Sequence, residues 1–217
     1  VNNLTNKRTF VALSNVLTRM LARATAKYPV GTYKDLPNPK GGEHGKCGLL
    51  QAGSLCDPDF IFDEEEKLVL LANLAYFEYQ TRNSPVSSSH NSSDFCRDRG
   101  YSMGVAVMRN VEGASQLKLT EMAHGMLDTW KLDAQCGKHI VCAIAIDDGL
   151  FAATSPKDSL VRMDKFAKYF EDNASLFARA EVRIALRDII TRALDDANAG
   201  ALFRPFNRKK RYVSRTL

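Results

Sequence analysis

The chain has 217 residues, 45% hydrophobic and 25% charged, with a formal net charge of +5. That is enough apolar mass for one well-buried core with an appendage, and it excludes an intrinsically disordered polar chain. The basic excess is concentrated between Arg204 and Arg215, where six basic residues occur with no acid; the rest is close to neutral, which argues against nucleic acid as a partner.

Residues 8–28 read as an amphipathic helix, with Phe10, Leu13, Val16, Leu17, Met20 and Leu21 on one face and Arg8, Arg19 and Arg23 elsewhere. The arginines interrupt the apolar run, so a core or docking helix is favoured over the remnant of a signal peptide. From Tyr28 to Leu55 the chain is rich in Pro, Gly and Lys and has no usable periodicity. This is a surface segment, and the nine-residue spacing of Cys47 and Cys56 suits a local disulfide.

Asp57, Asp59 and Asp63 follow. Asp63 with Glu66 makes a capping box ahead of a helix running to about Arg82, with Leu68, Leu71, Ala72, Ala75 and Tyr79 expected inward. The three aspartates also suggest calcium ligands, but the glycine and closing glutamate of a calcium-binding hand are not at the right spacing. Asn83 to Asp94 is a serine-rich loop holding the glycosylation triplet at Asn91; two others occur at Asn3 and Asn173.

The central unit starts at Cys96. Tyr101 to Met108 and His139 to Ile146 are short, nearly uninterrupted apolar runs, the pattern of strands covered on both faces. The helix between them, about Gln116 to Leu132, has the length of a right-handed crossover, so the strands are expected to run parallel. Cys96 and Cys136 each precede one of these strands, which puts them at the same end of the sheet and within reach of a disulfide. Cys142, inside the second strand, reads as a buried, inert thiol.

Asp147-Asp148-Gly149 is a turn signal, and Leu150 to Thr154 is a third strand pairing antiparallel with the second. The two aspartates at a strand end are candidates for cation binding or acid/base chemistry, and equally for turn formation. Two helical stripes follow, Leu160 to Phe170 and Val182 to Leu194, with a break near Asn173 to Leu176; Gly200 ends the second. No run of about 20 apolar residues spans a bilayer, and no phosphate loop, nucleophile elbow or histidine metal motif occurs. No catalytic residue is assigned.

The order of these elements resembles the TPM domain superfamily and, within it, the nematode modulator-of-levamisole-receptor family. The residues carrying the resemblance are Cys47-Gly and Cys56-Asp-Pro-Asp, Cys96 and Arg99-Gly-Tyr-Ser-Met-Gly-Val-Ala-Val-Met, Trp130-Lys-Leu, Cys136-Gly, Ile146-Asp-Asp-Gly and Phe151-Ala-Ala-Thr-Ser. It covers roughly Tyr28 to Asn198. The resemblance implies a Rossmann-like α/β/α sandwich with a mostly parallel sheet. It also implies an extracellular accessory role toward cys-loop, levamisole-sensitive acetylcholine receptors. The founding members carry a membrane span that this chain lacks, so the expected form is secreted or tethered through a span outside it.

The expected organisation is an N-terminal helical segment (1–30), a disulfide-stapled α/β domain (31–199) and a basic tail (200–217). The alternative is a divalent-metal phosphatase, as related domains in photosynthetic organisms imply. It would hold calcium or magnesium with Asp147 and Asp148, joined by Asp57 or Asp59. The basic tail suggests a contact with anionic lipid or glycosaminoglycan.

Overall fold

The computed structural model describes residues 30–86 and 94–204. The helix expected over 8–28, the acceptors Asn3 and Asn91 and the tail beyond Arg204 lie outside these. Within them are four strands, β1 (Leu55–Cys56), β2 (Ser102–Met108), β3 (His139–Ala145) and β4 (Leu150–Thr154). The helices are α1 (Glu64–Gln80), α2 (Asp94–Asp98), α3 (Gln116–Trp130), α4 (Met163–Asp172), α5 (Ala174–Ala178) and α6 (Val182–Asn198).

The sheet order is β1-β2-β3-β4. β1, β2 and β3 are parallel, and β4 returns antiparallel on β3 through the turn at Gly149. Every residue of β2 and β3 is buried, as their continuous apolar runs demand, because helices cover both faces. On one face α1, α4, α5 and α6 enclose a core of Leu70, Leu74, Phe77, Val105, Phe166 and Leu186. On the other, α3 buries Leu119, Met122, Met126 and Trp130 against Ala106, Val141 and Ala143. Both C-terminal stripes therefore lie on the same side of the sheet, and the break between them is spanned by the short α5.

Two disulfides tie the body. Cys47 is bonded to Cys56 and Cys96 to Cys136, the second joining the approaches to the two central strands. Cys142 is free and buried, and burial pushes its thiol up to about 12. The segment before β1 is held on α3: the Trp130 indole N–H donates to Leu36 O at 3.0 Å, and the Asn38 amide donates to Trp130 O at 2.7 Å.

Three sequence expectations are corrected. First, α1 is capped by Asp63 and Glu66 as expected, but it turns a different face inward. Lys67, Leu70, Leu74 and Phe77 are buried, while Leu68, Ala72, Ala75 and Tyr79 are exposed. The cause is the buried Lys67, only 2% exposed, whose ammonium is satisfied below the helix. Second, Asn173 is 3% exposed, and its amide nitrogen donates to Tyr169 O at 2.9 Å and Asp188 Oδ2 at 2.7 Å. The nitrogen a glycan would need is spent inside the fold. Third, the packed body continues past residue 199. Leu202 and Phe203 are buried, Phe203 lies 5.0 Å from the Tyr101 ring, and the Arg204 amide donates to Leu160 O.

Candidate interaction surface

The carboxyl ends of the parallel strands are where α/β folds most often bind ligands, and the four candidate aspartates all lie around this end. Three of them, Asp57, Asp59 and Asp148, accept from backbone amides. Asp57 accepts from the amides of Ile61 and Phe62 at 2.8 and 3.0 Å, with the Lys67 ammonium 3.8 Å away. Burial outweighs these partners and pushes its carboxyl up to about 6. Asp59 accepts from the Arg109 amide at 2.7 Å. Burial raises its pKa too, with a smaller push from the Asp147 charge.

Asp148 accepts from the Val111 amide at 2.7 Å and holds the turn after β3 to the end of β2. Asp147 lies 3.8 Å from the Arg109 guanidinium. The metal reading requires these carboxylates to converge on one point, and they do not. Among the described residues no three His, Cys, Asp or Glu side chains are grouped so as to hold an ion. Asp57, Asp59 and Asp148 serve instead as acceptors for loop amides.

At the opposite end of the sheet, His124, Asp128, Lys131, His139 and Lys157 line an open cleft of about 480 Å³. His124 Nδ1 is 3.2 Å from the Thr154 hydroxyl. His124 is exposed on α3.

The unexpected feature is the outer face of α1. Leu68 is 61% exposed, Tyr76 54% and Tyr79 56%, and Ala72 and Ala75 fill the gaps between them. These positions recur at helical spacing, so they form one stripe along the helix. It continues onto α2, where Phe95 is 48% exposed. Arg82 stacks on Tyr79 at 4.6 Å and Arg99 on Phe95 at 5.3 Å. A hollow of about 570 Å³ between them is lined by Ala75, Glu78, Tyr79, Arg82, Asp98 and Arg99. Tyrosine, phenylalanine and arginine are the residues enriched at protein interfaces. The signal was present in the sequence: α1 has apolar residues on nearly every side, more than one buried face requires.

A mostly parallel α/β/α sandwich stapled by two disulfides is the architecture of a TPM-type module. The chain belongs to the modulator of levamisole receptor-1 family, whose model matches residues 32–149, more than half of the chain. Among solved structures it is similar to the N-terminal domain of a P. gingivalis protein. That likeness has 11% identity and a TM-score of 0.54, covering 80% of this chain and 94% of that one. It is also similar to the BA42 protein of the psychrophilic bacterium Bizionia argentinensis, at 14% identity and a TM-score of 0.46, covering 65% and 84%. No curated protein matches the chain. The first structural likeness supports the fold alone. Among the described residues no helix is long and apolar enough to cross a membrane.

Proposed function

We propose that this protein is a non-enzymatic extracellular module that docks on a membrane receptor of the cys-loop acetylcholine-receptor class through the outer face of α1. The family supports the receptor class, and the exposed stripe of Leu68, Tyr76 and Tyr79 with its Arg82 stack supports the docking face. Aromatic side chains ordered by arginine stacking lose little freedom on binding and bury much apolar area.

Co-purification with receptor subunits from detergent extracts tests the proposal. Tyr76→Ser and Tyr79→Ser are expected to abolish capture while leaving the melting temperature nearly unchanged, because both side chains lie outside the core. Capture that survives both substitutions removes the α1 face, and no capture by the native chain removes the receptor. The basic run from Arg204 supplies a second contact, to anionic lipid or glycosaminoglycan. Its test is retention on heparin that is lost when the lysines and arginines of 208–211 become serine.

A further inference from the structure

We propose that the open cleft at the amino end of β3 binds a small organic anion, its oxyanion head held between Lys131 and Lys157 and its apolar body lying on Leu127 and Pro156. The cleft is built on the α3 side of the sheet and α1 packs on the other, so this site does not depend on the receptor contact.

A cleft of about 480 Å³ is of the size that takes a small ligand. Three parts of the chain build it. α3 supplies His124, Leu127 and Lys131, β3 opens with His139, and the segment after β4 supplies Pro156 and Lys157. Strand alternation puts His139 on the same sheet face as Val141 and Ala143, beneath α3, where it is 5% exposed and forms the floor.

The walls are set before any ligand arrives. The Cys96–Cys136 bond anchors the turn into β3, in which Gly137 takes φ 63° and its amide donates to Asp133 O. Across the cleft the Thr154 hydroxyl lies 3.2 Å from His124 Nδ1. A hydroxyl donating to Nδ1 puts the ring proton on Nε2, the donor that an oxyanion needs. Groups held in place beforehand lose little freedom on binding.

Charge selects the ligand. Lys40, Lys46, Lys165 and Lys168 each lie against an acid. Lys131 and Lys157 are exposed, and among the described residues neither has an acidic partner. Two ammoniums and two imidazoles face the single carboxylate of Asp128, which leaves the cleft positive. Such donors match the oxygens of a phosphate or a carboxylate.

The backbone at Lys131 is a second, independent observation. Lys131 caps α3 with φ 45° and ψ 46°, the left-handed conformation that glycine adopts at lower cost. Glycine would serve the cap better, and what lysine adds there is a cation on the rim of the cleft.

The test is titration of the intact chain with phenyl phosphate and with benzoate, read from the histidine ring signals by NMR. His124 and His139 are expected to shift saturably, while His44, outside the cleft, stays in place. The tighter probe names the head group. Inorganic phosphate is expected to bind several-fold more weakly than phenyl phosphate, because it leaves Leu127 and Pro156 uncovered. Lys131→Gly and Lys157→Gln are each expected to weaken binding about tenfold. Lys131→Gly is expected to melt no lower than the native chain, which separates lost binding from lost folding. Asp128→Asn is expected to tighten binding several-fold, since it removes the one negative charge from the rim.

No saturable shift with either anion up to about 10 mM overturns the proposal, as does an equal shift at His44. Affinity unchanged in Lys131→Gly and Lys157→Gln overturns it too, and inorganic phosphate binding as tightly as phenyl phosphate removes the organic body. A saturable shift with benzylammonium that Asp128→Asn abolishes assigns the cleft to a cation instead. Receptor capture is expected to be unchanged in Lys131→Gly, so the failure of either reading leaves the other standing.

Discussion

Lys67 reaches beneath α1 to within 3.8 Å of Asp57, and both side chains are buried. The ammonium also donates to Gly48 O at 2.8 Å and to Glu64 at 3.2 Å, and lies over the Phe60 ring. Asp57 in turn anchors the loop into α1 through two amides. Asp57→Ala strips both amides of their acceptor and removes the buried carboxylate beside the lysine, so a loss of about 3 kcal/mol is expected in urea unfolding. Lys67→Met keeps the aliphatic stem and is expected to cost less, since Asp57 retains its amides.

The pH dependence of stability carries two opposite signatures. Burial raises Asp57 from 3.8 to about 6, so the folded chain holds a proton where the unfolded chain has released it. Its contribution makes stability fall as pH rises through that window. Asp196 does the reverse. It accepts from the Tyr169 hydroxyl and lies 2.9 Å from Lys165, which hold it below the usual carboxylate range. Its contribution is present above the unfolded carboxylate pKa and lost as pH falls through the folded one. Chemical denaturation across the acid range is expected to show Asp57→Asn flattening the first slope and Asp196→Asn removing part of the second.

The disulfides differ in what they constrain. Cys96 and Cys136 are 40 residues apart in sequence and Cys47 and Cys56 are 9 apart. Loop-closure entropy makes the first worth about 4 kcal/mol and the second about 2.5 kcal/mol. Paired alanine substitutions compared by thermal melting are expected to show that order.

Gly100 is required by contact. A Cβ there would stand 1.5 Å from Glu78 O and 3.0 Å from Thr81 Oγ1. Thr81 Oγ1 donates to Phe77 O and accepts from the Tyr101 amide, tying the end of α1 to the start of β2. Gly100→Ala is expected to cost about 3 kcal/mol in denaturant unfolding. At Gly125 the atoms nearest an added Cβ belong to the Tyr33 side chain rather than to backbone, and Gly125→Ala is expected to cost less, about 1 kcal/mol.

Asp59 and Asp148 are turn holders. Asp59→Ala and Asp148→Ala each free one backbone amide, and each is expected to lower stability by about 1–2 kcal/mol. Hydrolysis of a generic phosphate ester is expected to be the same in both variants as in the native chain; a drop in a measurable rate would reinstate the phosphatase reading.

The central unit was legible because its signals are local and redundant. β2 and β3 are apolar runs buried on both faces, α3 has one clear stripe, and Asp147-Asp148-Gly149 admits only a tight return. Cysteines leading two parallel strands meet because parallel strands begin at the same end. The orientation of α1 was not legible, since apolar residues surround that helix and the deciding group is a lysine. Its burial depends on Asp57 and on the Gly48 carbonyl, contacts that no helical period reveals. β1 was missed because two residues carry no alternation, and its place in the sheet is set by pairing with Val105 and Ala106. The asparagine at 173 fits its triplet, but the fold uses its amide as a brace between α4 and α6.

The rims of the sheet limit how this molecule meets others. β1 is only two residues long and sits against the Cys47–Cys56 bond, while on β4 the Gln116 side chain already donates to the outward Phe151 carbonyl. The first rim is too short to template an added strand, and on the second one outward carbonyl is already taken. Recognition must then be written in side chains, so its specificity can change by substitution at a few surface positions without touching the architecture. The same blunted rims protect an extracellular chain from stacking into fibres.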